Sequence, residues 1–133
     1  MSTFRLEVVT PERTVLDQDV ESVLLPAKGG QLGIWANHAP MIAALEIGVA
    51  QYGPKSGRKE NLAVGGGFIE MDGTTLRVFA NTAETAEEID VMRAQEAKDR
   101  AEQRLQDMQS EWGHYRAEIA LQKALTRLRA VGE

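Results

Sequence analysis

From Thr82 to Val131 the sequence contains no proline and one glycine, Gly113, whereas all four prolines (Pro11, Pro26, Pro40, Pro54) and ten of the twelve glycines precede residue 74. Proline and glycine punctuate turns and break helices, so this division forces two architectures onto one chain: a turn-rich first part and a helical second part. The 133 residues suffice for one ordinary domain, or a small domain with an appendage, but not for two full-sized cores.

The second part predicts a helical hairpin. Thr85 and Glu88 have capping-box spacing, and Glu84, Glu87, Glu88 and Asp90 crowd the positive end of a helix dipole, which predicts a helix start near Ala86. Ala94, Ala97, Ala101, Leu105 and Met108 follow one stripe; Ala117, Leu121, Ala124, Leu128 and Val131 follow another. These are packing seams rather than a cofactor site. Ser110 can cap a second helix, and Gly113 costs only about 1 kcal/mol relative to alanine inside one. Isolated helices of roughly 20 residues are marginal in water, so both stripes need a partner: each other, the first part, or another protein.

Net charge is −5, which argues against a nucleic-acid binder, but its distribution says more. From Glu84 to Glu111 nine acids face four bases, while Arg116, Lys123, Arg127 and Arg129 face only Glu118 and Glu133. An acidic helix and a basic helix can pair, or the basic one can leave for an acidic surface. Folding back at about Ser110 puts Arg93 opposite Arg127 and Arg100 opposite Lys123. Four cations near one seam repel unless carboxylates or a bound anion intervene, and Asp90 neutralises only part of them; on spacing alone, rotamers splayed into a solvated charged face are the favoured alternative.

The first part reads as many short strands. Phe4, Leu6 and Val8 alternate as a half-buried strand does. Further strands fall at 14–16, 20–25, 29–35, 44–52, 60–64, 68–71 and 75–80, the last two joined by the tight-turn dipeptide Asp72-Gly73. Together they predict a sandwich or flattened barrel.

Several chemistries are excluded. Gly65, Gly66 and Gly67 are not followed by Gly-Lys-Ser/Thr, so they read as close backbone packing and not as a phosphate loop. His38 lies in a turn with no metal-spaced partner, His114 being the only other histidine, and no nucleophile motif is present. No metal site and no catalytic residue is expected. With no cysteine, a reducing compartment is comfortable, and no apolar run approaches the roughly 18 residues that span a bilayer.

Gly30, Leu32, Gly33 and Ile34 with Asn37, His38 and Pro40; then Gly66, Gly67, Phe68 and Glu70; then Ala83, Glu84, Ile89, Asp90 and Arg93: this series resembles the epsilon subunits of bacterial F-type ATP synthases, over essentially the whole chain. The resemblance implies a β sandwich of about ten strands over residues 1–84 and a regulatory antiparallel two-helix hairpin over 85–133. It implies a non-catalytic subunit of the central stalk, peripheral on the cytoplasmic face of the membrane. Its sandwich would contact the gamma subunit and the c-ring, with Gly30, Leu32 and His38 as the contact residues. Arg116, Lys123, Arg127 and Arg129 would meet acidic surfaces of the beta subunits in the alpha/beta head and inhibit ATP hydrolysis. No cofactor is required, but the Ile-Asp-x-x-Arg-Ala pattern at Ile89, Asp90, Arg93 and Ala94, with Glu84, Arg100, Lys123 and Arg127, implies ATP as a regulatory ligand favouring the folded hairpin. Lys123 departs from the usual arginine and lacks its planar fork. The alternative is a stand-alone nucleotide-sensing module.

Overall fold

The computed structural model describes residues 2–107 and 110–132. Met108, the last residue of the first predicted stripe, lies outside the described residues.

Eight strands occur among the described residues: β1 (Phe4–Val9), β2 (Thr14–Val20), β3 (Ser22–Ala27), β4 (Gly30–Trp35), β5 (Met41–Gly53), β6 (Glu60–Met71), β7 (Thr75–Ala80) and β8 (Ala83–Thr85). They form the sandwich that the turn-separated alternation predicts. The hydrogen-bonded path is β2-β1-β7-β6-β5-β3-β4, with β8 on β6. Two long strands let this one path fold over a single core: β6 pairs with β8 through Leu62–Val64 and with β7 through Gly67–Met71, while β5 pairs with β3 from Leu45 onward. Inward residues of every layer, among them Leu6, Val8, Ile34, Ile69, Leu76 and Val78, are fully buried. Each such side chain contributes roughly 1.5–3 kcal/mol of transfer free energy.

β6 is one strand where the sequence predicts two, at 60–64 and 68–71. The three glycines do not interrupt it; they let it bend against its neighbours. A Cβ on Gly65 would collide with the Thr82 hydroxyl, and one on Gly67 with the Phe79 carbonyl and, at 3.0 Å, with Ala80 Cα. Gly67 also has φ +136°. We therefore expect Gly67→Ala to cost about 3 kcal/mol, since strain and backbone collision coincide, and to lower the thermal midpoint of the purified chain. An unchanged melting curve would refute the close-approach reading.

At the predicted tight turn, Asp72 caps a three-residue connection: its carboxylate accepts from the N–H groups of Thr74 (2.9 Å) and Thr75 (2.8 Å), and Gly73 takes φ +105°. Those bonds, then Arg77, hold the Asp72 carboxyl far below the usual carboxylate range.

The predicted helix start near Ala86 is wrong. The capping box exists, since Thr85 N–H donates to Glu88 Oε1 at 2.9 Å, but it caps only a single 3-10 turn, Ala86–Glu88. Ile89 then becomes extended and buried, packing with Ala63 and Ala130. Helix α1 (Val91–Asp107) begins after Asp90, whose carboxylate accepts from Arg93 N–H at 3.1 Å. Helix α2 (Glu111–Ala130) is capped by Ser110, as its sequence suggests, through the Gly113 N–H at 3.0 Å.

The two helices pack antiparallel through the predicted seams. Ala94 and Ala101 of α1 and Ala117, Ala124 and Leu128 of α2 are buried. The His114 ring bonds the Leu105 carbonyl (2.9 Å) across the turn. On the sandwich, α2 lies against β5 and β6, and Asn61 donates to the Ala130 carbonyl at 3.1 Å.

Candidate functional site

Four elements converge beside the helix seam. β8 and the 3-10 turn bring Glu84 and Glu88, the first turns of α1 bring Asp90, Arg93, Ala94, Glu96, Ala97 and Arg100, and the last turns of α2 bring Arg127. Together they line a polar pocket of ≈ 340 Å³, a size that takes a small molecule. Six of the eight residues expected to contact nucleotide, Glu84, Asp90, Arg93, Ala94, Arg100 and Arg127, share it.

The other two lie elsewhere. Ile89 is buried in a small apolar cluster with Ala63 and Ala130, where it fixes the chain between β8 and α1. Lys123, one turn before Arg127, lines a narrow neighbouring cleft with Glu84, Arg127 and Thr126. The expected meeting of Arg93 with Arg127 thus holds, whereas Arg100 shares the pocket with Arg127 and not with its expected partner Lys123, which lines the neighbouring cleft.

Charge in the pocket is balanced by specific contacts. Arg127 Nε lies 2.6 Å from Glu84 Oε1, bridging α2 to the sandwich. Asp90 serves as the α1 cap rather than as a counter-ion to the Arg93 guanidinium. Arg93 and Arg100 make no ion pair with another described residue and are exposed. Hydrogen bonds from Thr85 N–H, then from Arg13, pull the Glu88 carboxyl below its ordinary range. Two guanidiniums about two turns apart on one face of α1, with a third held beside them on α2, suit an extended polyanion.

Of the residues expected to meet the beta subunits, Arg116, Lys123 and Arg127 fall within about 20° of one line along α2, whereas Arg129 lies about 140° away. Gly30, Leu32 and His38, the expected gamma and c-ring contacts, fall on β4 and the connection that follows it. Gly30 opens β4, Leu32 packs partly on the core, and His38 lies in the connection after Trp35.

The sequence reading missed a different surface. Ile42 is 75% exposed and Phe68 48% exposed, and Phe68 stacks on Phe79 with ring centroids 4.7 Å apart. Pairing of Ile42 with Glu70, Ala44 with Phe68 and Phe68 with Phe79 places these apolar side chains on one outer face of the sandwich. Unpaired apolar faces of this kind mark contact sites.

Comparison with known proteins gives the family. The model of the ATP synthase delta/epsilon chain β-sandwich domain matches residues 3–86, and that of the long α-helix domain of the same chain matches residues 87–132. The chain belongs to the ATP synthase delta/epsilon family. Among its relatives, the ATP synthase epsilon chain of Syntrophomonas wolfei is 49% identical over 129 residues, covering 97% of this chain and 94% of the relative. That of Symbiobacterium thermophilum is 49% identical over 133 residues, covering 99% and 95%. In fold, the chain resembles a subunit in the mitochondrial ATP synthase structure of Euglena gracilis, with a TM-score of 0.83 and 21% identity over 100% of this chain and 83% of that one. Family membership makes this chain a non-catalytic subunit and not an enzyme in its own right. The family models also divide it where the sandwich passes into the helical part.

Proposed function

We propose that the chain is the epsilon subunit of the central stalk in a rotary, proton-translocating ATP synthase, linking c-ring rotation to the alpha/beta head. In this reading its sandwich docks on gamma and the c-ring, and its hairpin regulates: extended, the α2 cations meet acidic beta surfaces and block ATP hydrolysis; folded, they do not. ATP in the pocket between β8, α1 and α2 favours the folded state. A ligand that prefers one state shifts the population toward it, by roughly 2.7 kcal/mol at about 100 times its dissociation constant.

One observation carries the ATP part: a pocket to which the folded-back α2 contributes Arg127 collects Arg93, Arg100 and Arg127 beside the Ile89-Asp90-x-x-Arg93-Ala94 segment. Calorimetric titration of the isolated chain with ATP tests it. Heat of binding at millimolar nucleotide supports the reading, and none at that concentration refutes it. No helix among the described residues is long and apolar enough to cross a membrane, which suits a subunit held on the cytoplasmic face through its complex. A stand-alone nucleotide sensor would bind ATP as a monomer and recover no gamma subunit on co-purification.

The exposed Ile42, Phe68 and Phe79 face is the gamma-docking surface in this proposal. Ile42→Glu combined with Phe68→Glu should leave a folded chain, because both side chains point away from the core, yet lose co-purification with gamma. Retained co-purification would move the docking site elsewhere.

A further inference from the structure

We propose that Arg13, in the connection between β1 and β2, is a positioning residue of the pocket: it neutralises the Glu88 carboxylate, which would otherwise repel a bound polyphosphate. The inference rests on the nucleotide reading of that pocket. Four carboxylates and three guanidiniums line the walls. Glu84 is paired with Arg127, Asp90 is held at the start of α1, and Glu96 is exposed on the helix surface. Glu88 alone takes its counter-ion from outside the pocket lining: Arg13 Nη2 lies 2.9 Å from Glu88 Oε2.

The geometry explains why this pairing matters. The other oxygen, Glu88 Oε1, is fixed by the Thr85 N–H at 2.9 Å and the Thr85 hydroxyl at 3.1 Å. The capping box therefore holds the carboxylate at the wall, and it cannot swing away from an arriving anion without giving up those bonds. With Arg13 present, Oε2 is occupied and its charge compensated. Without Arg13, a fixed bare carboxylate oxygen remains beside the phosphates. Both side chains are partly exposed, 45% for Arg13 and 38% for Glu88, so solvent screening keeps the effect moderate.

Calorimetry of the full chain with ATP, ADP and AMP tests this. Arg13→Ala should weaken ATP binding roughly two- to five-fold, with the penalty shrinking from ATP to ADP to AMP as ligand charge falls. Glu88→Gln in the Arg13→Ala background should restore ATP affinity, because the amide oxygen still accepts from Thr85 but carries no charge; Arg13→Lys should keep most of it. Unchanged ATP affinity in Arg13→Ala overturns the proposal. So does an equal loss for ATP and AMP, or a loss that Glu88→Gln fails to rescue, either of which marks a merely loosened 3-10 turn. A wild-type chain that gives no heat with ATP overturns the nucleotide reading first, before any Arg13 variant is measured, so the two failures are distinguishable.

Discussion

Replacing Arg93 and Arg127 together with alanine should reduce ATP affinity by about a hundredfold or more, with the chain still folded. Each guanidinium that bonds a phosphate contributes about 1.5–3 kcal/mol, and tenfold in affinity is about 1.4 kcal/mol. The two losses are not equivalent. Arg93 is exposed and unpaired among the described residues, so Arg93→Ala removes a ligand contact and little else. Arg127 also neutralises Glu84 at 2.6 Å; Arg127→Ala leaves that carboxylate uncompensated in the pocket, and its cost should exceed that of Arg93→Ala. Lys123→Arg, which restores the fork that the resemblance expects, should change affinity less, because Lys123 lines the neighbouring cleft. Calorimetry on the single and double variants separates these terms. Equal binding by the double variant and the wild-type chain would show that the guanidiniums do not hold the phosphates.

Much of this arrangement was legible because local periodicity and the distribution of proline and glycine carry it. The alternation of Phe4, Leu6 and Val8 gave β1 its buried face, and the alanine stripes gave the helix seam. Folding the hairpin back at Ser110 was enough to bring Arg93 to Arg127, though it set Arg100 against Lys123, which lies in the next cleft. Where tertiary contacts override local signals, the sequence misled. Thr85 and Glu88 are a genuine capping box, but such a motif reports that a helical turn starts and not how far it runs. Burial of Ile89 against Ala63 and Ala130 pulls the chain straight after one turn, and Asp90 has to start the helix again. The Gly65, Gly66 and Gly67 run looks like a strand break from one strand alone. Only its neighbours Thr82 and Phe79, which come too close for any side chain, show why the strand continues through it.

The remaining site residues left no local trace. Arg13 and Glu88 belong to different elements, far apart in sequence, and no spacing rule links them. The exposed Ile42 and Phe68 face was hidden for the opposite reason: apolar residues in a strand are read as core, and a sheet that is apolar on both faces at one end cannot be told from a fully buried one without knowing what covers it.

Reversing Arg116 and Lys123 to glutamate should raise ATP hydrolysis by the assembled synthase toward the level of a complex lacking α1 and α2. All four α2 cations are candidates for the inhibitory contact with beta, but the fold separates their roles. Arg127→Glu would set two carboxylates against each other at the Glu84 bridge and weaken the folded hairpin, which favours extension while also repelling beta, so its net effect is ambiguous. Arg129 lies on another side of α2 from the other three. Arg116 and Lys123 share one line, make no ion pair with another described residue, and lie outside the lining of the nucleotide pocket. Their reversal therefore turns attraction to an acidic surface into repulsion, by several kcal/mol where like charges meet in an interface, and leaves assembly as it was; Lys123→Glu, in the cleft that Glu84 and Arg127 also line, should in addition weaken ATP binding, so Arg116→Glu alone is the variant that leaves the pocket untouched. The measurement is hydrolysis by purified complexes carrying wild-type, reversed or helix-truncated subunit, each checked for equal subunit content. If truncation activates hydrolysis and the Arg116→Glu, Lys123→Glu pair does not, inhibition by the helices does not run through this line of cations.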